Sequence, residues 1–431
     1  MKNLHLTKQH WLTLLGGLLT LCLALGAGLW YERQTFVTRG LVELPQAMPH
    51  GGVEFGLNVA LEQYDAETLT ETLEQLDNLR VHHLKQTFYL PAYNEFDWSE
   101  SERLITAVAK HPALELTVLL NGDPAENFAP PSPEQFAAWA GEFAQRYGDH
   151  IDHYIIWDEP NLSTQWGNEA VNPAAYGALL TAAAQTIRAA DPSAVIIAAP
   201  LAPTTERGPQ NLADALYLQR LYEAGVQDAF DVVASKPYGF DTSAADLRTD
   251  IDTLNFRRSI LLREVLLQNG EAHKAVWAGN WGWNSLPADW SGQPSVWGQT
   301  DAQTQIEQTI EALFQARQEW PWMGVMFLEG WEADAPADDA RHGFDLAHRP
   351  DSLQTLTEAL NLFQTTTAAY PGFHPAEPDS VAQTYQGGWE FSPDYGADMS
   401  EVPEGQPPDQ VTFTFWGTHV GLQVRRANFR A

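Results

Sequence analysis

Cysteine and basic residues are scarce in this chain, and their scarcity excludes several kinds of chemistry. The only cysteine among the 431 residues is Cys22, which lies in an apolar N-terminal stretch. The rest of the chain therefore has no thiol for a disulfide, a cysteine–metal site or a cysteine nucleophile. The 24 Lys and Arg residues stand against 56 Asp and Glu, a formal net charge of −32. Such a charge repels nucleic acid and anionic membrane surfaces, so nucleic acid is not expected as a partner.

Sequence patterns for metal and nucleotide sites are also missing. The 13 histidines show no H-E-x-x-H or similar spacing. His82 and His83 are adjacent, so on a strand they would point to opposite faces and could not bind one metal ion together. No Walker sequence occurs, and the glycines of Gly51–Gly56 precede a predicted strand, whereas a dinucleotide-binding turn follows one. We therefore expect no metal and no cofactor.

An uninterrupted apolar run, Trp11–Trp30, occupies the N-terminus. At ~1.5 Å per residue it reaches about 30 Å, the thickness of a bilayer core. Lys2 and Lys8 precede it, which predicts a cytoplasmic N-terminus and an exported body. Because secretory h-regions are usually shorter, about 7–15 residues, we expect residues 1–40 to hold an uncleaved membrane anchor. A signal peptide cleaved near Ala24–Ala27, which would release a secreted protein, and a buried soluble helix are the alternatives.

Eight apolar, β-rich segments follow one another after this region. They are VEFGLNVAL from Val53, HHLKQTFYL from His82, LELTVLL from Leu114, HYIIW from His153, AVIIAAP from Ala194, FDVVASKPYGF from Phe230, KAVWAGNWGW from Lys274 and MGVMFLEGW from Met323. Amphipathic helical patterns such as Pro133–Tyr147 and Pro173–Ala190 lie between them. Continuous apolar strands that alternate with such helices predict a parallel sheet covered by helices.

Eight units of this kind predict an α/β fold, a (β/α)8 TIM barrel over residues 41–370. The alternative, a doubly wound open sheet, usually has fewer strands and a Gly-rich turn after the first one, which is missing here. Residues 371–431 are rich in Pro and Gly, and the stretch from Val411 alternates polar and apolar residues, as a half-buried antiparallel strand pair does. We expect a linker and a short β segment that either docks on the barrel or is the first part of a truncated β-sandwich.

The stretch HYIIWDEPNL ends a predicted strand with two adjacent carboxylates, Asp158 and Glu159. Pro160 is expected to keep Glu159 extended at the last position of the strand. In a barrel, catalytic side chains project from the carboxyl ends of the strands. A carboxyl there, beside Trp157 and above an apolar run, favours a raised pKa and a role as general acid. The alternative is an acidic pair in a solvated loop that caps the next helix.

This stretch resembles the W-N-E-P-N signature of the large clan of retaining glycoside hydrolases that includes cellulases, xylanases and β-xylosidases. The resemblance implies that Glu159 is the acid/base and that Asp158 stands where the clan has a sugar-binding asparagine. FDVVASKPYGF is similar to a strand-6 pattern that ends in His-Pro-Tyr, with Lys236 in place of the histidine and Tyr238 as the tyrosine. The likeness extends from about Val53 to Phe363.

The strand-7 pattern of the clan, Trp-x-Thr-Glu-x-Gly-Trp, resembles VWAGNWGW and places Asn280 where the nucleophilic glutamate would be. An amide cannot readily form the same glycosyl ester, so three interpretations remain open. Glu329 in FLEGW, or Glu332 two residues on, supplies the second carboxylate. The substrate's own acetamide attacks, helped by the Asp158–Glu159 pair. In the third interpretation, the site binds sugar without cleaving it.

All three interpretations keep a carbohydrate ligand. Aromatic side chains at the strand ends can stack on sugar rings, and amides can bind hydroxyls. The residues expected to bind substrate are Asp158, Asn161, Tyr238, Asn280, Trp281 and Trp283. The sequence thus predicts an extracytoplasmic glycosidase that acts on a polysaccharide or glycoconjugate, with Glu159 and Glu329 as catalytic residues. The alternative is a carbohydrate-binding barrel tethered at the cell surface.

Overall fold

The structure of the protein is a computed structural model that describes residues 16–29, 48–79, 81–91, 96–365, 369, 374, 376–378, 382–392, 396–399, 407–415 and 420–422. The chain divides into two compact units. One is Met48–Trp416, and the other combines Met1–Ala47 with Gly417–Ala431. The boundaries expected at residues 40 and 370 stay predictions.

Eight parallel strands form a closed barrel in which each strand pairs with the next and the eighth pairs with the first. They are β1 (Glu54–Val59), β2 (His83–Tyr89), β3 (Glu115–Asn121), β4 (His153–Ile156), β5 (Val195–Leu201), β6 (Val232–Ser235), β7 (Val276–Trp281) and β8 (Met323–Leu328). Each overlaps one of the eight apolar segments, so the predicted barrel is confirmed and the open sheet is excluded. Because the strands all run in one direction, their carboxyl ends meet at one mouth of the barrel.

The helices connect successive strands and cover the outside of the barrel. Residues 16–29 form α1, and the barrel helices are α2 (Ala66–Asn78), α3 (Ser99–Val108), α4 (Pro133–Tyr147), α5 (Pro173–Ala190), α6 (Asp214–Glu223), α7 (Ser259–Gln268), α8 (Ala302–Glu319) and α9 (Pro350–Thr365). Both α4 and α5 begin with a proline that follows a capping side chain. Ser132 accepts a hydrogen bond from the Gln135 N–H (3.2 Å), and Asn172 accepts one from the Ala175 N–H (3.1 Å). Each cap satisfies a backbone donor that has no partner within its helix.

Apolar side chains form two clusters on opposite faces of the strands. The larger cluster joins strand residues such as Leu120 and Ile156 to helix residues such as Phe136 and Tyr176. The smaller one contains side chains from β3 to β8 and one neighbouring residue, and no helix residue: Leu119, Ile155, Ile197, Val232, Ala234, Ala275, Trp277, Val325 and Phe327. Since successive strand residues point to opposite faces, the smaller cluster fills the inside of the ring.

The N-terminal helix α1 lies within the predicted anchor, of which residues 11–15 and 30 are outside the described residues. In the described part of the chain, no helix combines the length and the apolar character needed to cross a bilayer. The membrane anchor stays a prediction.

Among the described residues after α9, four short strands form two antiparallel pairs. Strand β10 (Trp389–Ser392) pairs with β11 (Gly396–Met399), and β12 (Gln410–Phe413) pairs with β9 (Gln383–Gln386). The alternating stretch from Val411 therefore supplies one strand whose partner precedes it in the chain. Residues 416–419 and 423–431 of that stretch lie outside the described residues.

Candidate active site at the carboxyl ends of the strands

Asp158 and Glu159 follow β4, where the chain bends sharply at the mouth of the barrel. Trp157 and Glu159 have φ angles of 72° and 48°, in the left-handed region that residues other than glycine rarely adopt. The expectation that Pro160 keeps Glu159 extended at the end of the strand is therefore wrong, since β4 ends at Ile156. The bend, and not strand alternation, sets the direction of the two carboxylates.

Hydrogen bonds to the two neighbouring strands hold this bend. The Trp157 N–H donates to the carbonyl of Leu120 on β3 (2.8 Å), and the Glu159 N–H donates to the carbonyl of Pro200 on β5 (3.1 Å). The Trp157 ring is fully buried and packs against Phe136 on α4, with ring centroids 5.7 Å apart. Left-handed residues cost of order 1–3 kcal/mol each and persist where the surroundings fix them, often at functional sites.

Lys236, just after β6, joins the two carboxylates. Its Nζ lies 2.9 Å from Asp158 and 2.9 Å from Glu159 Oε1. The lysine side chain is 5% exposed, and those of Asp158 and Glu159 are 24% and 20% exposed. Burial raises the pKa of Glu159, Lys236 opposes this rise, and the charges of Asp158 and Glu329 add to it. Burial lowers the pKa of Lys236, but the two carboxylates outweigh it and raise that pKa above the ordinary lysine value.

Glu329 follows β8 and reaches the same mouth. Its backbone N–H donates to the carbonyl of Trp281 (2.8 Å). Its Oε2 accepts hydrogen bonds from the Tyr238 hydroxyl (2.9 Å) and from the Asn280 amide Nδ2. The structure thus brings together Glu329, Tyr238 and Asn280, three of the residues that the sequence analysis selected. The carboxylate of Glu329 thus contacts Asn280, which stands where the resemblance to glycoside hydrolases expects the nucleophile.

Lys85 on β2 is a site residue that the sequence analysis missed. Its Nζ donates to the carbonyl of Gly279 (2.7 Å) and to Asn280 Oδ1 (2.8 Å), both on β7. Since β2 and β7 are not neighbours in the ring, these contacts cross the inside of the barrel. Burial lowers the pKa of Lys85 to about 8, although the charges of the nearby carboxylates act to raise it. The signal in the sequence is a lone lysine within an apolar strand, in which His83 and Lys85 share one face.

Two tyrosines, Tyr238 after β6 and Tyr89 at the end of β2, lie at the mouth of the barrel. The Tyr238 ring packs against Trp297 and Phe344, with ring centroids 6.0 and 5.6 Å apart. Tyr89, the last residue of β2, is 43% exposed and lies 6.5 Å from the Phe128 ring. Burial raises the pKa of Tyr89 to about 12, and the charges of Glu62 and Asp158 add to this rise. Tyr89 therefore offers an open aromatic face at the mouth.

The expectation that Trp281 and Trp283 stack on sugar rings needs correction. Both are buried and pack on Phe256, with ring centroids 6.0 and 5.9 Å away, so neither face is open to a ligand. The β7–β8 pairing shifts register between Ala278 and Trp281. A bulge of this kind interrupts strand alternation and re-aims side chains, which the sequence pattern does not reveal.

Asn161 is also unavailable to a sugar hydroxyl. Its side chain is fully buried and donates to the carbonyls of Ala202 and Leu212, both at 2.9 Å, while accepting from the Ala202 N–H. These bonds tie the segment after β4 to the segment after β5, so Asn161 has a structural role.

Glu332, the other carboxylate considered after β8, has different partners from Glu329. It accepts hydrogen bonds from the Tyr64 hydroxyl (2.7 Å) and is paired with His348 (2.9 Å). Of the two carboxylates, only Glu329 contacts Tyr238 and Asn280 in the described structure. Among the described residues, no group of three or more His, Cys, Asp or Glu is arranged to hold a metal ion.

Comparison with solved structures finds this barrel fold in glycoside hydrolases. A glucosidase from Croceicoccus marinus aligns over 76% of this chain and 70% of its own, with 12% identity and a TM-score of 0.53. An endo-1,4-beta-mannanase from Rhizomucor miehei aligns over 73% of this chain and 96% of its own, with 11% identity and a TM-score of 0.50. A scan against models of protein families finds no match, and neither does a search of curated proteins. At this identity, the likeness shows a shared fold.

Proposed function

We propose that this barrel is a glycoside hydrolase that cleaves O-glycosidic bonds, with Glu159 as the proton donor and Glu329 as the second carboxylate. The observation that carries the proposal is that Glu159, after β4, and Glu329, after β8, lie at the same mouth of a closed barrel. Lys236 contacts Glu159 there, and Tyr238 and Asn280 contact Glu329. Two carboxyl groups on either side of a glycosidic bond are the usual machinery of this reaction. The fold shared with a glucosidase and a mannanase supports the same reaction class.

In this mechanism Glu159 protonates the oxygen of the leaving group. Burial favours its protonated form, as proton donation requires. Glu329 either attacks the anomeric carbon or activates a water molecule, depending on the gap between the two carboxyl groups. A gap of ~5–5.5 Å corresponds to retention and ~6.5–9.5 Å to inversion of the anomeric configuration. Tyr89 provides a face on which a sugar ring can stack.

A second candidate function, glycan binding without turnover, is favoured by the ion pair between Lys236 and Glu159. The ammonium group stabilises the carboxylate form of Glu159, which opposes proton donation. Asn280 at the position of the clan's nucleophile points in the same direction. In this case the same mouth and the same aromatic face would hold the sugar.

The test is turnover by the full-length protein on a panel of aryl glycosides and soluble polysaccharides. We expect Glu159→Gln to lower kcat about 10²- to 10⁴-fold, the usual size of an acid–base contribution, and Glu329→Gln to lower kcat at least as much. The matched control, Glu332→Gln, removes a nearby carboxylate that contacts neither Tyr238 nor Asn280, and its rate should stay near that of the native protein. NMR of the first product would assign retention or inversion.

Native rates in Glu159→Gln would rule out its role as proton donor. Oligosaccharide binding by calorimetry, without hydrolysis of any substrate, would favour the second candidate function.

We further propose that the barrel lies outside the cytoplasm and is attached to the membrane through Trp11–Trp30. The uncharged run behind Lys2 and Lys8 supports this location, as do the exposed leucines of residues 16–29, for example Leu21 at 57% and Leu29 at 67%. Cell fractionation should find the protein in the membrane fraction, and protease added outside the cytoplasmic membrane should degrade the barrel. Recovery of the chain in the soluble cytoplasm would contradict both statements.

A further inference from the structure

A row of hydrogen bonds crosses the barrel from β2 to β8. Lys85 donates to Asn280 Oδ1 (2.8 Å), and the Nδ2 of the same amide donates to Glu329 Oε2. A second bond from Lys85, to the Gly279 carbonyl (2.7 Å), fixes the ammonium group in place. Lys85 is 4% exposed and Asn280 is 8% exposed, so water has little access to these contacts.

The chemistry of these groups gives the row a direction. An ammonium group has only donors, whereas an amide has an acceptor at one end and donors at the other. Lys85 therefore turns the oxygen of Asn280 toward itself, and the NH₂ end must face Glu329. Tyr238 donates to the same Oε2 (2.9 Å), and Oε1 has no hydrogen-bond partner among the described residues. One oxygen of Glu329 is thus held by two donors, and the other is left open.

We propose that Lys85 is a positioning residue that acts through the amide of Asn280 to hold Glu329 with Oε1 free to react. The inference rests on the proposed function, since it explains how a chain with an amide on β7 can use a carboxylate from β8. Asn280 is then a support for Glu329 and takes no part as a nucleophile.

The charge of Lys85 depends on the groups that face it across the barrel. These groups are Asp158 and Glu159 after β4, Lys236 after β6 and Glu329 after β8. Burial lowers the pKa of Lys85 to about 8, Lys236 adds to this, and the three carboxylates oppose it. A neutral amine can accept as well as donate, so above about pH 8 Lys85 no longer dictates the orientation of the amide.

The first test compares Lys85→Met with Lys85→Arg in the full-length protein. We expect Lys85→Met to lower kcat about 10- to 100-fold with KM little changed, because a misplaced catalytic group slows the reaction without weakening binding. Lys85→Arg keeps a charged donor and should restore much of the rate. In the native protein kcat/KM should fall as the pH rises through about 8, and in Lys85→Arg this fall should move to higher pH. A fall that stays in place in Lys85→Arg would belong to another group and would contradict the proposal.

The second test needs no turnover and follows the lysines directly. The chain has only Lys2, Lys8, Lys85, Lys110, Lys236 and Lys274, so labelling with ¹³Cε-lysine gives few NMR signals, and the Lys85→Met variant identifies the signal of Lys85. This signal should titrate near pH 8. In Asn280→Asp the new carboxylate beside Lys85 should move the titration upward by about one pH unit or more. No response of the Lys85 titration to Asn280→Asp would overturn the proposal, because it would mean that Lys85 does not contact this side chain.

The two tests separate this inference from the proposed function. If Glu329→Gln is inactive while Lys85→Met keeps the native kcat and pH profile, Lys85 does not position Glu329. The proposed hydrolase function is then unaffected. If Glu329→Gln keeps native activity, the proposed role of Glu329 is wrong, whatever Lys85 does. If the native protein cleaves no glycoside, the lysine titration still tests whether Lys85 contacts Asn280.

Discussion

The two ends of the barrel carry the same arrangement of charges, one cation between two carboxylates. At the carboxyl ends of the strands, Lys236 lies 2.9 Å from both Asp158 and Glu159. At the amino ends, His83 lies 2.5 Å from Glu54 and 3.1 Å from Glu115, beside a cavity of about 480 Å³. Neither the number of charges nor their spacing distinguishes the two clusters.

The two clusters differ in how far their carboxylates are exposed to water. The side chains of Asp158 and Glu159 are 24% and 20% exposed, whereas those of Glu54 and Glu115 are 61% and 56% exposed. Water screens the carboxylates at the amino ends, so their interaction with His83 resembles that of surface ion pairs. At the carboxyl ends, partial burial makes each charge depend on its neighbours, which is the condition for tuning an acid or a base.

The largest effect in this comparison is expected from removing the buried cation. Lys236→Met leaves two adjacent carboxylates without a partner at the mouth and should lower the free energy of unfolding by about 3 kcal/mol. The change would be measured by urea unfolding of the full-length protein at neutral pH. The control is Lys110→Met, since Lys110 is exposed and its substitution should change stability little. If Lys236→Met lowers the free energy of unfolding no more than Lys110→Met does, the partly buried ion pairs at the carboxyl ends contribute no more to stability than exposed charges.

A smaller effect is expected from His83, and it depends on pH. Burial lowers the pKa of His83, but Glu115 and Glu54 outweigh it and raise the pKa to about 9, above the ordinary histidine value of about 6.5. Between these values the folded protein binds the proton more tightly than the unfolded chain does. The stabilisation is therefore complete below about pH 6.5 and is lost as the pH rises through about 9. Because the two glutamates are mostly exposed, we expect about 1 kcal/mol.

Unfolding of the native protein and of His83→Gln at pH 6.5 and pH 9.5 would measure this contribution. Lys85 acts in the opposite sense, because its lowered pKa makes the folded state more stable as the pH rises above about 8. The difference between the two proteins removes that effect, since Lys85 is present in both. An equal difference at both pH values would show that His83 contributes no proton-linked stability. Glu54→Gln should give a still smaller change and leave turnover unaffected.

The sequence predicts the barrel well because its fold depends on a pattern that is repeated eight times. Each strand is a continuous apolar run, and a helix such as α5 carries its own start signal in Asn172 and Pro173. The position of Glu159 at the mouth follows from the same pattern, since β4 ends three residues before it. Tyr238, Asn280 and Glu329 were selected because they stand at or just after strand ends.

What the sequence leaves open is the direction of individual side chains. Glu159 is aimed by left-handed backbone and not by an extended strand, and Trp281 is turned into the core where β7 and β8 shift register. Asn161 donates to backbone carbonyls, although its place beside Glu159 in the sequence favoured a role in binding substrate. The sequence does not predict the contact of Lys85 with Asn280, because the two residues are 195 positions apart in the chain. These outcomes depend on contacts between distant residues, which local patterns do not encode.

The closed ring also governs how the mouth can change. Strands β4 and β8 are four places apart in a ring of eight, so Glu159 and Glu329 approach the axis from opposite walls. The circumference of the ring, which strand number and tilt determine, therefore sets the distance between the two strand ends that these residues follow. Surface loops that rim the opening can therefore change in sequence and length while the distance between those strand ends stays the same.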